Sequence, residues 1–572
     1  MSRFRVWAPK AGGVGLDLAG RRVAMTPAAG GWHEADVDGA GPGTDYGFSL
    51  DGGPVLPDPR SPWQPAGVHG RSRTVDHAAF PWTDAGWRGV HLPSAVLYEL
   101  HVGTFTPDGT FVAAIERLDH LVDLGVDVVE LLPVAEFPGA RGWGYDGVAP
   151  YAPQSAYGGP DGLKRLVDAC HARGLGVVID VVYNHLGPDG NYLGSYGPYF
   201  TDRYATPWGA AVNLDGAGSD EVRAFFVDNA LMWLRDYRCD GLRLDAVHAI
   251  LDTSATHLLE ELAVRTEALA ASLGRPLFLV AESDLNDPRV VRRREVGGYG
   301  MDAQWSDDFH HAVHAALTGE SDGYYADFGS LADVATALRR AFVHGGEYSA
   351  YRGRRHGRLD PGLSGHRFLG YAQNHDQVGN RAQGERSAAL MSPGRLRLAA
   401  ALVLTSPFVP MLFQGEEWAA GTPFQYFTDH ADPALGRAVS EGRKAEFTAF
   451  GWPADEVPDP QDPATFERSR LDWAELARNE HAEVFDWHRR LIALRRSEPA
   501  LTDGRLDAVA VSFDDEAGWL VVRRGPVSVA ANIGPKPVEL GVTGRVVLAS
   551  DGAELETGGT LWLAPDAVAV LA

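Results

Sequence analysis

The chain of 572 residues holds only two cysteines, Cys170 and Cys239. Two thiols exclude a disulfide-dense scaffold, and neither belongs to a Cys-x-x-Cys pair that could bind zinc or cycle between redox states. Basic charge is also scarce. Lys and Arg number 51 against 76 Asp and Glu, a formal charge of -25, which repels a phosphate backbone and excludes nucleic acid as a partner on bulk electrostatics. Long apolar runs are missing too: the most apolar stretch, 399–413, is interrupted by Pro407 and Pro410 and falls short of the ~20 residues that cross a bilayer. Arg3 and Arg5 stand where an export signal needs its apolar segment. These absences predict a soluble, cytoplasmic protein with no membrane partner.

What is present is enough apolar material to fold, 45% of residues against 22% charged, far from the signature of disorder. The 67 glycines and 36 prolines exceed the roughly 12% these two types share in average chains, which predicts many ordered loops. At several times the usual domain length, the chain should divide. Short alternating runs at 4–7, 15–18 and 44–50, bounded by Gly, Pro and Asp, predict an N-terminal β-sandwich over 1–90. Beyond Pro93 the pattern becomes strand and helix in alternation. Strands are predicted at 96–105, 126–134, 177–182, 241–247, 277–282, 302–306, 368–373 and 408–413. Helices are predicted at 111–125, 162–174, 220–237 (Ser219 as N-cap), 254–269, 309–319, 396–404 and 482–496. Eight strands with helical crossovers predict an α/β fold, a (β/α)8 TIM barrel over 91–500 with long βα loops, with a doubly wound sheet as the alternative on pattern alone. Short strands after Pro499 predict a C-terminal β-sandwich domain over 501–572.

In such a barrel the polar residues at strand C-terminal ends face the loops that build a site. Four ends stand out: Asp180-Val181-Val182-Tyr183-Asn184-His185, Arg243-Leu244-Asp245, Ala281-Glu282-Ser283-Asp284 and Gln373-Asn374-His375-Asp376. Arg243 and Asp245 lie two apart and share one strand face; an Arg and a carboxylate turned into a barrel mouth are costly unless paired or used. Glu282 ends a run with no other charge, the setting a general acid needs. Read singly, each end has a structural alternative: a hydrogen-bonded strand end for His185 or His375, a buried ion pair for Arg243 with Asp245. Three acids on three strand ends favour chemistry, since two carboxylates flanking an anomeric carbon are the minimum for glycoside hydrolysis. Transition-metal chemistry is disfavoured, because His310-His311-Ala312-Val313-His314 has no carboxylate at metal spacing and no His-Glu-x-x-His occurs.

Taken in order, these four segments resemble the four sequence regions of the alpha-amylase family of glycoside hydrolases. The resemblance implies that Asp245 is the nucleophile, Glu282 the acid/base and Asp376 the stabiliser of the transition state. It implies that Arg243, His185 and His375 orient the nucleophile and hold sugar hydroxyls, and that Tyr145 is the stacking platform. Asp245-Ala246-Val247-His248-Ala249-Ile250, Asn374 to Asn380, Pro423 to His430, Gly442 to Phe447 and Leu471-Asp472-Trp473 are similar to the branch of that family that releases trehalose from maltooligosyltrehalose. By that likeness His248 meets the leaving group, and Gln377, Trp305 and Asp308 shape the trehalose-side subsites. The implied partners are maltooligosyltrehalose, α-glucan oligosaccharides and the pathway enzyme that makes the trehalose-ended chain. Asn184 matches an amylase calcium ligand, but intracellular members often lack the ion, so no metal and no cofactor is expected. An α-glucan branching or debranching enzyme, which shares the barrel and all three acids, is the alternative; a catalytically silent glucan-binding protein is the rival of another class.

Overall fold

The structure, a computed structural model, describes residues 2–449, 452–556 and 559–572. Its centre is a closed barrel of eight strands: β1 (Leu97–Leu100), β2 (Val128–Leu131), β3 (Gly176–Val181), β4 (Gly241–Leu244), β5 (Phe278–Ala281), β6 (Ala303–Trp305), β7 (Phe368–Gly370) and β8 (Val409–Phe413). Every neighbouring pair is parallel, and β8 returns to β1. This is the (β/α)8 barrel the alternation predicts.

The barrel strands have no solvent face. Every residue of β3, Gly-Val-Val-Ile-Asp-Val, is buried, as parallel strands covered by helices require. Successive side chains still point to opposite faces, and burial divides accordingly. Leu97, Val128, Val178, Phe278, Val280 and Met411 gather in one cluster inside the barrel. Tyr98, Val129, Ile179, Leu242 and Leu279, each one residue away, join the larger core outside it. Continuing the inward set by two residues along each strand reaches Glu99, Glu130, Asp180, Val280 and then Glu282, with Arg243 level with Asp180. The period that fills the lower barrel with hydrocarbon therefore fills its mouth with charge.

Two sheets precede the barrel. In one, Trp32–Val37 pairs with Ser2–Trp7 on one side and Thr26–Pro27 on the other; the other sheet is built from Val14–Leu18, Arg21–Ala24, Asp45–Leu50, Val55–Leu56 and Ser72–Arg73. After the helix Asn479–Ser497 come a five-stranded sheet and a three-stranded sheet packed over Val521, Ala530, Leu561 and Ala569.

Several element boundaries differ from the pattern. The helix predicted over 111–125 is two, Phe111–Ile115 and Leu118–Leu124, and Val122 points to solvent where Leu118, Leu121 and Leu124 are buried. The strand predicted over 96–105 stops at Leu100 and a helical turn, Val102–Phe105, follows. Ser219 is the first residue of its helix, not its cap; Gly218, at φ +77°, makes the turn, with no side-chain cap. The helix predicted from 254 starts at Leu258, where His257 accepts the N–H of Leu259. Among the described residues no helix is long and apolar enough to cross a membrane.

Candidate active site

The inward period brings Arg243 to the middle of the mouth, 1% exposed. One terminal nitrogen donates to Asp180 and, at 3.1 Å, to Asp245 Oδ1; the other donates to Glu282 Oε2 at 2.7 Å. The face of Trp305 lies 4.2 Å from the guanidinium carbon, adding a cation–π contact in a site that excludes water. Burial opposes the charge, but Asp180, Glu282 and Asp245 outweigh it and hold Arg243 protonated well above its ordinary value. One cation cannot settle all the acids around it. Burial, with Asp245 beside it and Arg243 opposing, pushes Asp180 up to about 7. Burial likewise raises Asp376 against the pull of His375, and lifts Asp307 far above the carboxylate range.

Backbone geometry sets the two central carboxyls. Ala246, directly after Asp245, sits at φ +39°, ψ +54°, a left-handed conformation that costs an L-residue about 1–3 kcal/mol. It turns its N–H onto Glu282 Oε2 at 2.8 Å. Glu282 Oε2 thus takes Arg243 and Ala246 together, and Oε1 has no protein donor among the described residues. Asp245 is held at both oxygens, by Arg243 and by Asn184 Nδ2 at 3.1 Å.

The loops supply the walls of a pocket of about 500 Å³. Gly144 lies between Trp143 and Tyr145 at φ +100°, where a Cβ would stand 2.1 Å from the Pro133 carbonyl oxygen; only glycine permits the turn that presents both rings. The Tyr145 hydroxyl donates to Asp180 at 2.7 Å and lies 2.8 Å from His375 Nε2. His375 Nδ1 and backbone N–H both reach Glu99. Burial disfavours the imidazolium, but Glu99 outweighs it and His375 titrates above its ordinary value. His185 bridges Asn184 Oδ1 and the Tyr145 carbonyl at 2.9 and 3.1 Å, and stacks on Trp208. Both ring nitrogens of His185 and of His375 are therefore engaged by protein. Asn184, the residue matched to a calcium ligand, spends its amide on Asp245 and His185.

Asp245, Glu282, Asp376, Tyr145, His185, Arg243, His248, His375 and Gln377 all line this pocket. His248 Nδ1 and Gln377 Oε1 are buried there without a hydrogen-bond partner. Two predicted contacts are elsewhere. Trp305 is 1% exposed and lies beneath Arg243 as a floor. Asp308 turns away, its Oδ2 accepting from Asn286 and from the N–H groups of Val343 and His344. One step along the helix Asp307–Thr318 rotates a side chain by about 100°, and it is Asp307 that lines the pocket. Residues the sequence pattern missed include Trp208, on the hairpin Phe200–Thr206 to Gly209–Val212, and Arg352, which donates to Asp284 at 2.9 Å. Trp208 is 46% exposed, and nothing in its neighbourhood of the sequence marks it as facing the mouth.

The sequence profile of the alpha-amylase catalytic domain matches residues 80–197, and that of a domain of unknown function matches 504–570. The malto-oligosyltrehalose trehalohydrolase of Mycobacterium tuberculosis is 54% identical over 555 residues, spanning 96% of this chain and 95% of its own. That of Rhizobium sp. strain M-11 is 52% identical over 579 residues, spanning 100% and 97%. A crystal structure of a Salmonella typhimurium protein assigned as an alpha amylase superposes with a TM-score of 0.92 at 41% identity, covering 100% of this chain and 97% of that one.

Proposed function

The chain belongs to the malto-oligosyltrehalose trehalohydrolases of the alpha-amylase family, and from that premise we propose how its own residues cleave the α-1,4 bond beside a terminal trehalose. The observation that carries the reading is a single guanidinium, Arg243, shared by Asp245 and Glu282 inside a pocket that Asp376 also lines. Glu282 donates a proton from Oε1, the oxygen left free by Arg243 and Ala246, to the glycosidic oxygen. Asp245, oriented by Arg243 and Asn184, attacks the anomeric carbon and forms a β-linked ester. Trehalose departs. Water, deprotonated by Glu282, then opens the ester and releases a maltooligosaccharide with the α configuration retained. This route requires the two carboxyls to stand about 5–5.5 Å apart when substrate is bound.

Asp376 steadies the developing oxocarbenium ion, and Tyr145 gives the sugar ring a flat face, its hydroxyl anchored on Asp180. His248 and Gln377, each with a polar atom that makes no hydrogen bond to the protein, hydrogen-bond the substrate. The sheets within 1–90 act as an accessory domain, 91–500 as the catalytic domain and 501–572 as the closing domain. The enzyme works in the cytoplasm beside one that makes maltooligosyltrehalose, a setting the two buried free thiols suit.

Incubation with maltotriosyltrehalose and, in parallel, maltopentaose, both with EDTA, tests the reading. Free trehalose with maltotriose from the first and slow attack on the second is the expected outcome. Equal attack on both, or branched products, would move the function to a general α-glucan enzyme.

A further inference from the structure

A second cleft, of about 320 Å³, shares its two segments with the catalytic pocket. Asp284 and Arg352 face that pocket, while the residues just beyond them, Leu285 to Arg289 and Arg354 to Arg358, line the cleft. Its charge runs against that of the chain. Residues 285–295 and 351–358 hold eight arginines and two acids in a protein of formal charge -25. In the lining itself the one acid, Asp287, is spent on Arg289 at 2.6 Å. Arg354 gives one donor to the Arg355 carbonyl at 3.3 Å, and among the described residues neither Arg354 nor Arg358 has a carboxylate oxygen within 4 Å, Arg358 acting only at longer range on Asp360, which pairs with Arg292. Two guanidiniums thus leave their planar forks open, the geometry that matches phosphoryl oxygens.

His356 supplies a second, independent signal. It is 3% exposed, it lines the cleft, and its Nε2 has no hydrogen-bond partner. Its other nitrogen bonds to the backbone of Asp284, and burial together with Arg352 keeps the ring neutral near pH 7, pushed down to about 4. A neutral imidazole that donates from Nδ1 can only accept at Nε2. A phosphate dianion cannot fill that position, but a hydroxyl can. The loop is fixed where it is: Gly357 has φ +75°, and a Cβ there would lie 2.0 Å from the His344 carbonyl oxygen.

We infer that this cleft binds a hydroxylated phosphate monoester, a sugar phosphate, with the phosphoryl group on Arg354 and Arg358 and a hydroxyl on His356 Nε2. The volume lies at the low end for small-ligand sites, which suits a single sugar. The site is independent of the substrate assignment above, since none of its three ligating residues lines the catalytic pocket.

The test is calorimetric titration of the full chain with glucose 6-phosphate, inorganic phosphate and glucose, at fixed ionic strength. Glucose 6-phosphate should saturate one site and bind more tightly than inorganic phosphate. The Arg354→Gln/Arg358→Gln double variant should weaken it about tenfold or more while hydrolysing maltotriosyltrehalose at the wild-type rate. His356→Phe should lower glucose 6-phosphate to the affinity of inorganic phosphate and leave the latter unchanged. Absence of saturation, equal affinity in the double variant, or glucose binding as tightly as its phosphate would each overturn the assignment.

Discussion

Buried guanidinium groups are treated in opposite ways at the barrel mouth and at the seam with the C-terminal sheets. At the barrel mouth Arg243 meets Asp180, Asp245 and Glu282, and its proton is held far more tightly than usual. At the seam between the barrel and the C-terminal sheets, Arg495 and Arg524 meet only carbonyl oxygens. Arg495 donates to Leu404, Ser406 and Phe408 at 3.1, 2.9 and 2.7 Å; Arg524 donates to Thr405, Ser406 and Leu501 at 2.8, 2.7 and 3.0 Å, and to Asp503. Burial, and for Arg495 the neighbouring Arg524, pulls these two down to about 9 and about 10. The seam uses two cations to satisfy the carbonyls where the helix Pro393–Leu404 ends and the chain enters β8, groups that otherwise lack partners. The mouth uses one cation to hold three acids, Asp180, Asp245 and Glu282, on one guanidinium. Charge without counter-charge is structure; surplus acid around one charge is a site.

Four substitutions sharpen this contrast. Asp245→Asn and Glu282→Gln should each cost roughly 10⁴-fold or more in kcat with a cooperative melt preserved; loss of the melt in both, seen by calorimetry, would return the mouth to a structural ion cluster. Arg243→Met strips the cation from buried acids, and breaking such a network costs about 3–5 kcal/mol; both activity and the denaturant midpoint should fall. Arg495→Met takes the guanidinium from the Leu404 and Phe408 carbonyls, while Ser406 keeps Arg524; at about 1–3 kcal/mol for an orphaned group the urea midpoint should drop while kcat/KM stays within about twofold in the surviving folded fraction. An equal loss of kcat/KM there would erase the distinction between the two regions.

The smallest effect is on pH dependence. Asp180 titrates at about 7 in the folded protein against ~3.9 unfolded. Its contribution to stability is fully present below about pH 4 and is lost as pH rises through about 7. Glu136 and Glu416, each pushed by burial to about 8, act in the same direction. Thermal midpoints of the wild type and of Asp180→Asn, compared at pH 4.5 and pH 7.5, should move against the wild type as pH rises; a constant difference would mean that Asp180 is ionised throughout.

The barrel and its acids were legible because both rest on short periods. Alternation along β3 to β5 turns Asp180, Arg243 and Glu282 inward whatever the rest of the chain does, and the same rule marks their strand ends. Asp308 was misread because a helix rotates with each residue, so the acid facing the mouth had to be chosen between neighbours, and tertiary contacts with Val343 and His344 decided it. The family likeness assigns Trp305 to the trehalose-side subsites; its place beneath Arg243 makes it a floor instead. Trp208 and Arg352 reach the pocket on long loops with no periodicity, and Arg495 and Arg524 left no signal because their partners are backbone carbonyls, which every residue carries.

The division of roles between Asp245 and Glu282 is tested most directly by azide rescue with α-maltotriosyl fluoride, a donor whose leaving group needs no proton. With Glu282→Ala, azide should intercept the β-linked ester and give α-maltotriosyl azide; with Asp245→Ala, azide should take the nucleophile's place and give the β-azide. The opposite pairing of anomers, or the same anomer from both variants, would contradict the assignment of nucleophile and acid/base on which the account rests.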